Sequence, residues 1–197
     1  MSPTLKTIVN VARILTIGIW AAVITAAISL YLSDTSKFTA ANIADFIASF
    51  QTQIWLVYFA MSVLRGFTLL PSTPLVLAGA FLYPEQPWLV LLTSMFGIVL
   101  SSTLIYFCSE ALGFSHYFET RKPKAVEHIR CRLEQPTGLV FIGIWAFFPF
   151  VPTDAVCYVA GTMKMHFLKF IAAVFTGELV LCSIYVFSGG SLVRNWL

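Results

Sequence analysis

Charge is scarce in this sequence. Only 11% of its 197 residues are Asp, Glu, Lys or Arg, and 58% are hydrophobic, whereas about a quarter of an ordinary soluble domain is charged. A soluble domain of this size hides only about two-thirds of its accessible surface, too little to shelter so much apolar area. The composition excludes a water-soluble globular domain and predicts an all-α integral membrane protein. Cysteine is sparse too. Cys108, Cys131, Cys157 and Cys182 fit no zinc or redox spacing, so no disulfide, metal or cofactor is expected. Three of the four lie in apolar stretches and are expected to behave as small buried hydrophobes. There is no G-x-S-x-G, no second His near a carboxylate, and no base for Ser72, which argues against an enzyme. No aromatics interleave the basic residues of 119–134, which argues against nucleic acid as a partner.

The few charges are placed informatively. Arg121, Lys122, Lys124, Arg130 and Arg132 outnumber Glu119, Glu127 and Glu134 in a basic loop, 113–137. Lys6 and Arg13 precede the apolar run 14–32, which spans about 28 Å as a helix and is read as a retained membrane helix rather than a cleaved signal. The positive-inside tendency puts the N-terminus and the 113–137 loop on the cytoplasmic side. Residues 36–50 read as a short amphipathic helix capped by Ser36 or Thr35, lying in the interface or packed on the protein. The chain thus divides into 1–52, a membrane helix plus this interfacial helix, and 53–193, a membrane domain.

Two segments of that domain break their own helices. The first block, 53–84, carries Pro71 and Pro74 and then Gly79; the second, 138–165, carries Pro149 and Pro152 and then Gly161. Proline removes a backbone donor and ends a helix, and broken backbone is tolerated at membrane depth only inside protein or beside water. Each segment precedes an apolar span containing a glycine, Gly97 in 88–108 and Gly177 in 170–188, the latter with its apolar run interrupted by the charge of Glu178. This is an internal repeat of about eighty residues, and the charge bias makes the segments dip from opposite faces. The expectation is two opposed re-entrant segments in an inverted repeat, with a working site where the half-helices meet. A full crossing by 53–70 is the alternative.

Ionisable groups within such segments are costly and mark pathways. Asp154 follows Pro152 at the expected start of a half-helix, as an N-cap or as part of a polar path. Arg65, the one basic residue of the first block, would pair with Asp154, hold a phosphate, or snorkel to the interface. Glu178 would line the path or carry a proton. Lys164, His166 and Lys169 form a basic patch, in which Lys164 and Lys169 suit anionic headgroups.

The stretch "RGFTLLPSTPLVLAGAFLYP", followed by a glycine-containing span and "SEALG", resembles the first block of the DedA superfamily, whose domain is also called VTT or SNARE-associated. "AFFPFVPTDAVCYVAGTMKMHFLKFIAAVFTGEL" resembles its second block more closely. The resemblance covers about 53–190. It implies a bacterial cytoplasmic-membrane protein that moves lipids, undecaprenyl phosphate or anionic phospholipid, often with proton coupling. Two features of many bacterial members are missing. "PSTPLV" holds no carboxylate, and "GIWAFF" has no arginine near Ala146. The polar path would therefore rest on Arg65, Asp154 and Glu178. The expected function is a flippase or scramblase, with a homodimer as an open possibility. The other class considered is a scaffold that recruits a partner through the basic loop.

Overall fold

The computed structural model describes residues 3–111, 123–149 and 151–196, and these are helical with short connections. In chain order the helices are α1 (Pro3–Ser33), α2 (Ala40–Ala48), α3 (Ile54–Leu64), α4 (Thr73–Leu82), α5 (Pro87–Ala111), α6 (Pro123–Glu134), α7 (Pro136–Phe147), α8 (Thr153–Thr162) and α9 (Phe167–Trp196). Single 3-10 turns cover Thr35–Phe38, Gln51–Gln53 and Arg65–Thr68. The side chains of Lys6, Arg13 and Glu110 fall outside the described residues. So does the 113–122 part of the basic loop, with Glu119, Arg121 and Lys122.

Among the described residues two helices are long and apolar enough to cross a membrane, α5 over Pro87–Ser109 and α9 over Phe167–Gly189. Proline opens α5 at its first position, where its missing N–H is no loss. α9 is the expected last span and runs unbroken through Gly177 and Glu178. Gly177 lets α7 approach. A Cβ there would stand 2.2 Å from the Gly143 carbonyl oxygen. Gly97 has the same use in α5, where a Cβ would stand 2.6 Å from Ser62 Cβ of α3.

The packing is exchanged between the two halves. α3 lies on α5 and α7 lies on α9, each within its own half. The short helices cross over: α4 packs on α9 as well as on α2, and α8 packs mainly on α5. Two apolar clusters result. One joins Tyr58 and Val76 to the first half of α5 (Val90, Met95, Ile98) and the second half of α9 (Cys182, Val186). The other joins Ile142 and Cys157 to Ile105 of α5 and to Phe170 and Val174 of α9. α5 and α9 therefore run antiparallel, and the stretch between the clusters is polar on both, Ser101 on one and Glu178 on the other.

Three local expectations change. α2 is capped by Thr39, whose Oγ1 accepts from the Asn42 amide at 3.4 Å, rather than by Ser36 or Thr35, which lie in the preceding 3-10 turn. α2 buries Ala44 and Ile47 against α4 while Phe46 and Phe50 stay exposed. Residues 123–134 form a helix rather than a loop, packed on α7. Cys157 and Cys182 are buried, but Cys108 is exposed, because it lies on the outer face of α5.

Candidate functional site: a buried ion pair between two helix breaks

The first break begins where the 3-10 turn ends at Leu69, a bulky residue held at φ 58°. Left-handed backbone is uncommon for such a side chain, and Pro71 prevents the helix from simply continuing. The second break runs from Phe148 to Pro152, both extended. Pro74 lies in the first turn of α4, and Gly79 and Gly161 lie inside α4 and α8, so these three are not in the breaks themselves. Gly161 lets α8 press against α5: a Cβ there would meet the Tyr106 carbonyl oxygen at 2.2 Å.

Breaking a helix frees carbonyls that need donors, and side chains supply them. Arg65 Nη1 donates to the Leu70 carbonyl at 3.2 Å. Thr73 Oγ1, opening α4, donates to the Pro149 carbonyl at 3.2 Å, tying one break to the other. Trp145 Nε1 donates to the Pro152 carbonyl at 3.4 Å. α1 closes over the same region, with Trp20 Nε1 donating to Tyr158 Oη of α8 at 2.6 Å.

The charged residues meet here. Arg65 Nη1 stands 3.0 Å from Asp154 Oδ2, and both side chains are buried, 8% and 1% exposed. Burial rules out snorkelling for Arg65. Asp154 does not cap α8. The cap position is Pro152, with no side-chain bond, and Asp154 sits in the first turn. There its charge still complements the helix dipole, while its oxygen is aimed at Arg65. Glu178 of α9 reaches the same turn: Thr153 Oγ1 donates to its Oε1 at 2.5 Å. Cys182 Sγ lies 3.8 Å from its Oε2. Glu178 is fully buried. Gly66 allows this closeness, since a Cβ there would lie 2.8 Å from Ser101 Cβ and 3.1 Å from Asp154 Oδ1.

One guanidinium thus faces two buried carboxylates. Arg65 Nη2 and Asp154 Oδ1 have no hydrogen-bond partner, which is rare for buried polar atoms. Ala146, near which the resemblance would put an arginine, is fully buried. It abuts Gly177, where an added Cβ would stand 2.9 Å from Ala146 Cβ. Lys164, in the turn after α8, and Lys169, in the first turn of α9, lie away from this cluster. Both are exposed, and Lys169 Nζ lies 4.0 Å from Glu134 of α6. Glu134 also accepts from the His166 amide at 2.8 Å. Thr153, Thr73 and Gly66 are site residues that sequence reading missed. Their position next to the prolines or the arginine was the signal. Among the described residues no three His, Cys, Asp or Glu side chains converge as a metal site would.

Two apolar spans, paired broken helices and a buried charged cluster define an α-helical integral membrane protein with a polar interior. The signature of the VTT domain matches residues 70–191. The chain belongs to the VTT-domain family, the domain of the DedA proteins. Neither a curated protein nor a solved structure matches it significantly.

Proposed function

We propose that the protein is a lipid transporter, a flippase or scramblase that passes the phosphate-bearing headgroup of a phospholipid or polyprenyl phosphate through its interior. The observation that carries this reading is the Arg65–Asp154 pair, with Glu178 bonded to the neighbouring Thr153, at the junction of two helix breaks. Charges inside a membrane protein are costly and are kept for a path or a relay. The lengths fit a seam. α4 and α8 have 10 residues each, about 15 Å at 1.5 Å per residue, half a hydrocarbon core of about 30 Å. In this reading they are the inner arms of two re-entrant segments, entering from opposite faces as an inverted repeat. The headgroup crosses along Arg65, Asp154 and Glu178 while its chain stays in lipid. No covalent bond is made or broken. One guanidinium against two carboxylates leaves a place for a proton, so a pH gradient is a natural coupling. Lys164 and Lys169 attract anionic headgroups on the side of α6, which we assign to the cytoplasmic face of a bacterial inner membrane.

The test is headgroup exposure in proteoliposomes, with fluorescent phospholipid in one assay and undecaprenyl phosphate in another. It is run with and without a pH gradient. Wild type should move lipid, and Glu178→Gln, which can keep the bond from Thr153, should remain folded and move it at least tenfold more slowly. Folded wild type that moves neither lipid would overturn the reading.

A further inference from the structure

A cavity of about 300 Å³ lies among α1, the 35–38 turn, α2 and the first break. Its wall includes Lys37 and Arg65 and, among the described residues, no carboxylate. The Lys37 side chain is 76% exposed and that of Arg65 only 8%, so the cavity leads from the surface to the buried pair. The rest of the wall is mostly apolar, with Phe46, Met61 and Leu75, and Asn42 is bonded to the 35–38 turn through the Ser36 carbonyl. A water takes about 30 Å³ of liquid volume, so the space admits a phosphate group together with the first carbons of a chain. Arg65 spends Nη1 on Leu70 and Asp154, while Nη2 has no partner. These residues lie outside the 70–191 stretch that the family signature covers, apart from Leu70, Pro71, Pro74 and Leu75 at its edge.

We propose that this cavity is the entry site for a phosphate monoester carried on a lipid. Lys37 meets the anion at the surface, Arg65 receives it at the inner end, and the apolar wall holds the start of the chain. The proposal rests on the transport reading and adds where the headgroup enters. Each cation already has a carboxylate beside it, Asp34 at 3.2 Å from Lys37 and Asp154 at 3.0 Å from Arg65. Binding is then an exchange of hydrogen bonds rather than capture by a bare charge, which keeps affinity modest, as a path requires.

The full-length protein in neutral detergent would be titrated calorimetrically with dodecyl phosphate and, in parallel, with inorganic phosphate. Dodecyl phosphate should bind saturably, and inorganic phosphate at least tenfold more weakly. Lys37→Gln should weaken dodecyl phosphate about fivefold, as expected for one exposed charge-assisted contact, and Lys37→Arg should restore it. Asn42→Trp, at an exposed position on the wall, should block binding by bulk. Unchanged affinity in both Lys37→Gln and Asn42→Trp overturns the site. Inorganic phosphate binding as tightly as dodecyl phosphate overturns the lipid assignment. Lipid transport by wild type with Lys37-independent binding overturns this proposal alone. Lys37-dependent binding by a chain that moves no lipid supports the site and overturns the transport reading.

Discussion

Asp154 and Arg65 stabilise each other chiefly by preventing something worse. Removing one partner of a buried pair typically costs about 3–5 kcal/mol, because the other charge is left uncompensated, whereas replacing both by apolar groups is often neutral. Asp154→Ala should therefore lower the unfolding midpoint sharply in detergent, and Arg65→Met with Asp154→Leu should recover most of it. If that double variant regains stability but not lipid movement, the pair is kept for function. A second prediction concerns Lys164, held at φ 50° in the turn after α8. Its amide bonds the Gly161 carbonyl, and that of Met165 bonds the Ala160 carbonyl, the Schellman arrangement that glycine usually completes. The left-handed backbone costs an L-residue roughly 1–2 kcal/mol, so Lys164→Gly should raise the unfolding temperature slightly despite glycine's greater freedom when unfolded.

At the scale of elements, the breaks are held by side chains that reach across them. Thr73→Val should lose the bond to Pro149, costing about 1 kcal/mol, and should loosen one break against the other, read as faster hydrogen exchange at the start of α8. On α6, Cys131 is exposed, and its Sγ lies 3.4 Å from Glu127 Oε1. The hydrogen bond and the nearby negative charge of Glu127 push the thiol up from its ordinary value. Less thiolate is then present at neutral pH, so maleimide should modify Cys131 slowly, and Glu127→Gln should speed it. The sequence was informative about these elements to different degrees. Prolines at 71, 149 and 152 announced the breaks, because a missing N–H acts locally. Which carbonyl each side chain would satisfy was not readable, because Thr73 and Pro149 meet only in three dimensions. The cap of α2 was misplaced for a related reason: Thr35, Ser36 and Thr39 all have cap chemistry, and the 3-10 turn that selects Thr39 leaves no composition signal. What Gly177 serves was not readable either: a Cβ there would meet the Gly143 carbonyl oxygen, so its lack of a side chain lets α7 pack close on α9.

For the whole molecule, the pairing of Arg65 with Asp154 was foreseeable from the repeat. Two half-helices that must satisfy each other bring their ionisable residues together. The cavity beside Lys37 was not, since it forms only where α1, the 35–38 turn and α2 close over the first break in three dimensions. The crossing of α4 onto α9 and of α8 onto α5 has a consequence for assembly. Neither half can finish its own interior, so each offers a vacant berth that only the other fills. Residues 1–111 and 112–197, produced as separate polypeptides in one cell, should be recovered together from the membrane. Either one made alone should be degraded.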